Sequence, residues 1–259
     1  MRSSTVRGGL VLGLLLTTAI VVGGTAVAAP PPPEAPQVST FAPAEDLANQ
    51  VPEYIDSLEK AVATEQEFKD AEGKVAKESN ALVLIALALG LHDTDNPYKA
   101  AAAALVKAAQ DVAAAKDYAS AKKAVEQLKV AAQSKAGGEL KWEKKAALDQ
   151  LMKQVPMINT KMKRYLKGSR FKSNAKDTAG YSAVLAVIAQ GSMVDVSVTK
   201  SDEQAKQWYD FCVQMRQAAS ELNKAIRAGD QAAADAATKK LTQSCDDCHA
   251  VFHKEEAAK

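Results

Sequence analysis

The chain has 259 residues, and its 33 basic and 31 acidic residues leave a formal net charge of only +2. A chain this close to neutrality lacks the basic field that attracts phosphate backbones, which argues against a nucleic-acid-binding protein. Alanine and lysine abound after residue 43 and no convincing alternating apolar pattern appears there, so we predict an all-α fold.

The first 28 residues are typical of a secretory signal peptide. Arg2 and Arg7 make its start positive, an apolar run follows from Leu10 to Val22, and Ala26-Val27-Ala28 offers a small-residue cleavage site. The apolar run is too short for a transmembrane span. We therefore predict a periplasmic or secreted protein that meets the membrane only through its cleaved signal. Cleavage would leave 31 basic and 31 acidic residues.

Residues 29–43 are polar and rich in proline, and we predict a spacer without a core of its own. The remainder contains a repeat of about 100 residues, the size of a four-helix bundle. The motif Leu47-x-x-Gln50-Val51-Pro52 returns as Leu151-x-x-Gln154-Val155-Pro156, and the apolar run 80–90 returns loosely as 181–191. We call residues 44–138 the first copy and residues 139–259 the second copy, and we predict four helices in each.

Helix boundaries are marked at several points. Asn96-Pro97 predicts a helix N-cap with proline in the first turn, and Ser201 with Gln204 predicts a capping box. Gly229-Asp230 predicts a helix that ends at a glycine and is followed at once by the N-cap of the last helix. Pro52 and Pro156 lie within helical patterns, where each is expected to start a helix or to kink one.

The last predicted helix carries Cys245-Asp246-Asp247-Cys248-His249, a C-x-x-C-H haem-attachment signature. Cysteines three residues apart lie on one face of a helix, so both sulfurs can bond the two vinyl groups of one haem. The histidine that follows can bind the iron as its axial ligand. We therefore predict one covalently attached haem c, held by Cys245, Cys248 and His249.

The first copy lacks this signature. When Asp117 is aligned with Asp230, the two cysteines and the histidine fall opposite Ala132, Lys135 and Ala136. Those side chains provide neither thioether sulfurs nor an iron ligand. We expect the first copy to be haem-less and to have a structural role.

The second copy resembles cytochrome c′ and its low-spin class II relatives. The resemblance rests on the haem signature in the last helix, on the corner Ala228-Gly229-Asp230, on Phe252 three residues after the histidine, and on large apolar residues at Trp208, Met215 and Leu222. It implies a left-handed antiparallel four-helix bundle with haem between the helices. It also implies a homodimer, which two tandem bundles in one chain can replace by a pseudo-dimer or extend to a homo-oligomer. Where this family commonly has arginine after the aromatic residue, this chain has His253.

In this family the residue on the distal side of the haem comes from the first helix of the bundle, here about Glu139 to Lys167. Met162 aligns with Leu58 of the first copy and is expected in the core, which leaves Met152 or Met157 as a possible sixth iron ligand. Leu151 and Val155 are the alternative apolar wall. The side chains expected to pack against the haem are Phe252, Leu151, Met152 and Val155.

The other two histidines are not expected to bind the iron. His253 lies one turn beyond His249 on the same side of the helix, as a surface residue or a pH-sensitive neighbour of the haem, and His92 is expected in a polar loop of the first copy. Cys212 is interpreted as a buried inert thiol, with an intermolecular disulfide as the alternative.

Electron transfer is the first hypothesis, because no catalytic triad, carboxylate pair or phosphate loop accompanies the haem signature. A five-coordinate haem that binds NO or CO is the alternative, and a zinc or dithiol site is a third. A basic cluster without intervening acids is either a solvated helix end or a docking patch for an acidic redox partner. The cluster consists of Lys161, Lys163, Arg164, Lys167, Arg170 and Lys172.

Overall fold

A computed structural model describes residues 29–253 together with Met1, and all of the regular structure in these residues is helical. The prediction of an all-α fold is confirmed for this part of the chain. The predicted signal peptide lies outside the described residues. The helices are α1 (Ala44–Ala61), α2 (Glu65–Leu91), α3 (Ala102–Ala114), α4 (Tyr118–Ala131), α5 (Leu148–Tyr165), α6 (Arg170–Ser173), α7 (Ala175–Ser192), α8 (Asp202–Ala228) and α9 (Gln231–Phe252).

The helices pack as a bundle with a core that both copies share. In the first copy each of the four helices contacts the next, and α1 also contacts α4. In the second copy α7 packs against α5 and α8, and α8 packs against α9. The copies meet where α1 and α2 contact α7 and where α2 contacts α5. One apolar cluster runs through both copies, from Val38 to Leu241.

Helices α2 and α7 form the centre of this bundle. Residues 81–89 of α2 and 182–192 of α7 are buried on every side, as expected for helices that are apolar around their whole circumference. A Cβ atom at Gly191 of α7 would lie 2.6 Å from the Cδ atoms of Leu84 in α2. A larger residue at this position would force the end of the Leu84 side chain to move, and glycine lets the two helices approach this closely without that shift.

Helices α1 and α5, which carry the repeated sequence motif, have matching lengths and buried positions. Each has 18 residues, and Gln50 and Gln154 are buried at matching positions. The Gln154 side-chain amide donates to the Tyr54 hydroxyl at 3.3 Å, across the boundary between the copies. Pro52 and Pro156 lie inside their helices, so neither of them starts a helix.

Three of the predicted helix ends are confirmed. The Ser201 hydroxyl accepts a hydrogen bond from the backbone N–H of Gln204 at the start of α8. The Gln204 side chain accepts from the backbone N–H of Lys200 instead of Ser201, so the N-cap forms without the second half of the predicted capping box. Gly229 has φ 70° and ends α8 in the left-handed region that favours glycine. Asp230 then caps α9 by accepting from the backbone N–H of Ala233 at 3.0 Å.

The predicted N-cap at Asn96 is wrong, because α3 begins six residues later, at Ala102. The Asn96 side chain accepts from the backbone N–H of Tyr98 and donates to the carbonyl oxygen of Leu89. This side chain therefore stabilises the turn that follows α2 and forms a hydrogen bond with a carbonyl near the end of that helix. Asparagine side chains commonly bond to nearby backbone groups in turns as well as at helix N-caps.

The segment 29–43 contributes to the core, in contrast to the spacer that its composition predicts. Val38, Phe41 and Ala42 are buried among the helices. The Ser39 hydroxyl donates to the carboxylate of Asp93 at 2.5 Å. The apolar side chains near the end of the segment pack in the core, although the proline-rich composition predicts a segment without buried residues.

The first helix of the second copy was expected from about Glu139, but α5 begins only at Leu148. Residues 139–147 follow two glycines with positive φ, and their alternating charges form local pairs such as Lys145 with Glu143. Lys144 also binds Asp195. No helix within the described residues has both the length and the apolar character that a membrane span requires.

Candidate haem site

The two cysteines of the signature lie on the apolar face of helix α9. Its buried positions Ala234, Ala237 and Leu241 recur every three or four residues along the face that packs on α8. Cys245 and Cys248 continue this stripe as half-buried, free thiols. The register of one helix therefore places both sulfurs toward the interior of the second copy.

A cavity of about 330 Å³, the first cavity, lies between α5 and α9 and receives both cysteines. His249 also lines it, and α7 and α8 close its inner side. Its apolar wall is formed by Met152, Val155, Ala189, Trp208, Phe211 and Met215. A mostly apolar cleft with a few polar groups is the usual form of a cofactor site.

A wider second cavity of about 900 Å³ adjoins the first. The two share Met152, Pro156, Trp208, Cys248 and His249. They therefore form one groove that passes along α5 and α9, with the second cavity extending toward the end of α9.

Three aromatic side chains pack against one another beside the groove. The ring of Phe252 packs edge-on against Trp208 and Phe211, with centroids 5.5 and 6.3 Å away. The Trp208 indole N–H donates to the Ser192 carbonyl oxygen at 3.2 Å, which satisfies its only polar atom. Phe252 itself lines the second cavity.

The thiols of the signature are neutral in the folded chain. Burial raises the pKa of Cys248 to about 11, and the neighbouring Cys245 raises it further. Burial also raises the pKa of the Cys245 thiol. For His249, surrounding protein atoms and then the charge of His253 lower the pKa, so the imidazole is neutral at pH 7 and its ring nitrogens are available to a metal.

The structure brings together most of the side chains that the sequence predicts for the site. Met152, Val155 and Phe252 line the groove with the signature residues. Leu151 and Met157 line neither cavity. Leu151 is 1% exposed in the shared core. Successive residues of a helix point about 100° apart. Leu151 therefore faces the core, although Met152, the next residue, lines the groove.

The two remaining histidines lie in different surroundings. His92 was expected in a polar loop but is only 2% exposed; its Nε2–H donates to the Ala42 carbonyl oxygen, because Nδ1 accepts from the backbone N–H of Thr94. It lines neither cavity. The ring of His253 lies 5.1 Å from that of His249, as expected for a neighbour on the same side of α9.

Helix α8 supplies residues of the groove that the sequence did not predict to contact the haem. Trp208, Phe211, Cys212 and Met215 all line the first cavity. Their helical spacing was visible in the sequence, but a stripe of this kind is equally typical of a core. Burial, followed by the nearby Cys248, strongly raises the pKa of the Cys212 thiol, which is therefore neutral as well.

The basic cluster is exposed, and one of its members reaches the site. Lys163 lines the first cavity beside Asn159 and Thr160. Lys161 lies over the ring of Tyr181, 5.6 Å from its centroid. Among the described residues, no carboxylate forms an ion pair with any of the six members of the cluster.

Comparisons of the chain with protein-family models, curated proteins and solved structures found no match. Within residues 29–253, no group of three or more His, Cys, Asp or Glu side chains is arranged to hold a metal ion. That finding concerns sites built wholly from side chains, whereas a porphyrin brings four nitrogen ligands of its own.

Proposed function

We propose that the protein is an exported mono-haem c-type cytochrome that transfers electrons, and not an enzyme. The observation that carries this proposal is the groove between α5 and α9, because it receives Cys245, Cys248 and His249 together. Its size and apolar wall fit a flat macrocycle. When bound, the haem supplies a one-electron Fe(III)/Fe(II) couple.

The chain's own residues have distinct tasks in this proposal. In haem attachment each thiol would add across one vinyl group, with its sulfur bonding to one carbon and its hydrogen to the other, so no external oxidant would be needed. Cys245 and Cys248 are free and protonated, as this addition requires. When haem is bound, His249 would hold the iron, and the apolar side chains of Trp208 and Val155, which line the same cavity, would exclude water from the metal.

The finer architecture we propose is two tandem antiparallel four-helix bundles of the cytochrome c′ type, joined as a pseudo-dimer within one chain. Helices α1 and α5 have equal lengths and matching buried positions, which supports the repeat. Helices α4 and α9 both begin after a capping aspartate, Asp117 or Asp230. The contacts of α1 and α2 with α7 provide the interface between the bundles.

Met152 is the residue we propose as the sixth iron ligand. It lines both cavities and contacts both apolar clusters, whereas Met157 lines neither cavity. A thioether ligand opposite histidine gives a low-spin electron carrier with a raised reduction potential.

Binding of NO or CO to a five-coordinate haem is the second candidate function. The observation in its favour is the apolar wall of Val155 and Ala189, which adjoins Met152 in the first cavity. Absorption spectra of the ferric protein separate the two functions. A low-spin spectrum with a methionine–iron band that disappears in Met152→Ala supports electron transfer, and a high-spin spectrum that changes with CO in the ferrous protein supports gas binding.

The experiment that tests the cofactor uses the full chain exported together with a haem-attachment system. Its mass should increase by one haem, and acid-acetone should leave the colour on the polypeptide. The double variant Cys245→Ala/Cys248→Ala should lose all covalent haem. Cys212→Ala, which removes a thiol lining the same cavity, should retain it. A wild-type chain without added mass would refute the proposal.

We further propose that the basic cluster docks an acidic redox protein. Lys163 of this cluster lines the first cavity, so an acidic surface bound at that residue would lie beside the groove. Charge pairs of this kind accelerate encounter and weaken with salt. The proposed export to the periplasm or outside the cell rests on the signal pattern at residues 1–28.

A further inference from the structure

The far end of the second cavity is where the first copy reaches the proposed haem site. Met152, Trp208 and Cys248 line the near end, which is shared with the first cavity. Lys77 of α2 lines the far end, together with lysines from the connection between the copies and from α5. Lys77 is the residue of the first copy that the two cavities include.

The charges at this far end do not balance. Lys144 Nζ lies 2.8 Å from a carboxylate oxygen of Asp195, and Lys153 Nζ lies 3.3 Å from one of Asp149. Lys77 is half-buried, and among the described residues it has no ion pair and no hydrogen bond. A partly desolvated ammonium group without a counter-charge is unfavourable, so an anionic group that enters this end of the cavity would be stabilised.

The thioether positions indicate which edge of a porphyrin would point here. Cys245 lines only the first cavity, while Cys248 and His249 line both. In a haem the vinyl groups and the two propionates occupy opposite edges of the ring. A haem attached at Cys245 and Cys248 would therefore direct its carboxylates away from the first cavity and toward the second.

We propose that Lys77 binds a haem propionate, so that the haem-less first copy completes the haem site of the second copy. This inference rests on the proposed function, because it assumes the covalent haem. Lys144 and Lys153 are already paired with carboxylates, which leaves Lys77 to neutralise the propionate. Its positive charge also favours the ferrous over the ferric iron, because the ferric centre carries one more positive charge.

The test is Lys77→Gln in the full, haem-loaded chain, with Lys163→Gln as the matched control at the opposite end of the groove. The reduction potential and the propionate bending mode in the resonance Raman spectrum are measured for both. We expect Lys77→Gln to lower the potential and shift the propionate mode, and Lys77→Arg to restore both. Lys163→Gln should leave the propionate mode unchanged.

Two outcomes would overturn this inference. One is a propionate mode that moves in Lys163→Gln and not in Lys77→Gln, and the other is a mode that moves in neither variant. If glutamine impairs folding, Lys77→Met keeps the aliphatic stem and removes the same charge. A chain that carries no covalent haem by mass fails the proposed function instead, so the two failures can be told apart.

Discussion

Helices α4 and α9 are aligned with each other by the sequence repeat but differ in length. Both begin directly after a capping aspartate, yet α4 has 14 residues and α9 has 22. On this alignment the last residue of α4, Ala131, corresponds to Ser244. The haem signature therefore lies wholly on the two extra turns of α9, beyond the part that both copies share. Helix α8 is likewise longer than α3, with 27 residues against 13.

The contacts that α4 and α9 make with the first helix of their own copy also differ. In the first copy α1 contacts α4, and Lys129 Nζ lies 2.6 Å from a carboxylate oxygen of Glu59 across that contact. The corresponding residues of the second copy are Lys163 and Thr242, which cannot form an ion pair and instead line the first cavity. A closed helix pair in one copy thus corresponds to an open groove in the other.

The largest effect should come from making α9 as short as α4. A chain that ends after Ser244 keeps the buried positions Ala234, Ala237 and Leu241 but loses the entire signature. We expect a folded, helical protein without covalent haem, as measured by circular dichroism and mass. A chain that ends after His253 is the control and should retain haem. If the shorter chain loses its helical signal, the extra turns support the fold as well as the site.

The shared core predicts that the copies unfold together. Leu84 of the first copy is buried against Gly191 of the second, so Leu84→Ala should cost about 2–5 kcal/mol through lost burial and a residual cavity. The transition should remain single when it is followed by circular dichroism and by the haem absorption band. The control Val130→Ala changes a side chain that is 73% exposed and should shift stability by less than about 0.5 kcal/mol. Two separate transitions would contradict the shared core.

The smallest effect concerns the mouth of the first cavity. The double variant Lys163→Glu/Thr242→Lys recreates in the second copy the ion pair that joins α1 to α4. An exposed pair of this kind contributes less than about 1 kcal/mol, so we expect little change in the melting temperature but slower haem attachment during maturation. The single variants, which introduce only one charge each, serve as controls. Equal attachment rates in all three would show that the ion pair does not decide whether the groove is open.

Features that depend on neighbouring residues could be predicted from the sequence. The glycine corner at Gly229, the cap at Asp230 and the common face of Cys245 and Cys248 all follow from local helix geometry. The repeat was recognisable because the matching positions of α1 and α5 are buried in the same pattern. These properties require no knowledge of how distant segments pack.

Features that depend on distant packing could not be predicted. The choice of Met152 over Met157 depends on which face of α5 is turned toward α9, and three methionines spaced by five residues offered no single face. Asparagine is a common N-cap residue, but the side-chain amide of Asn96 donates to the carbonyl oxygen of Leu89 in the preceding helix. Lys77 gave no local signal at all, because it reaches the groove only through the contact of α2 with α5.

The sharing of one core has a consequence for biogenesis. During synthesis α2 is complete well before α7, so the side of α2 that carries Leu84 has no cover until about 100 further residues have been made. An apolar helix face that stays exposed to solvent during that interval can associate with other unfolded chains and aggregate. We therefore expect the newly made chain to depend on a holding chaperone until its C-terminal helices arrive.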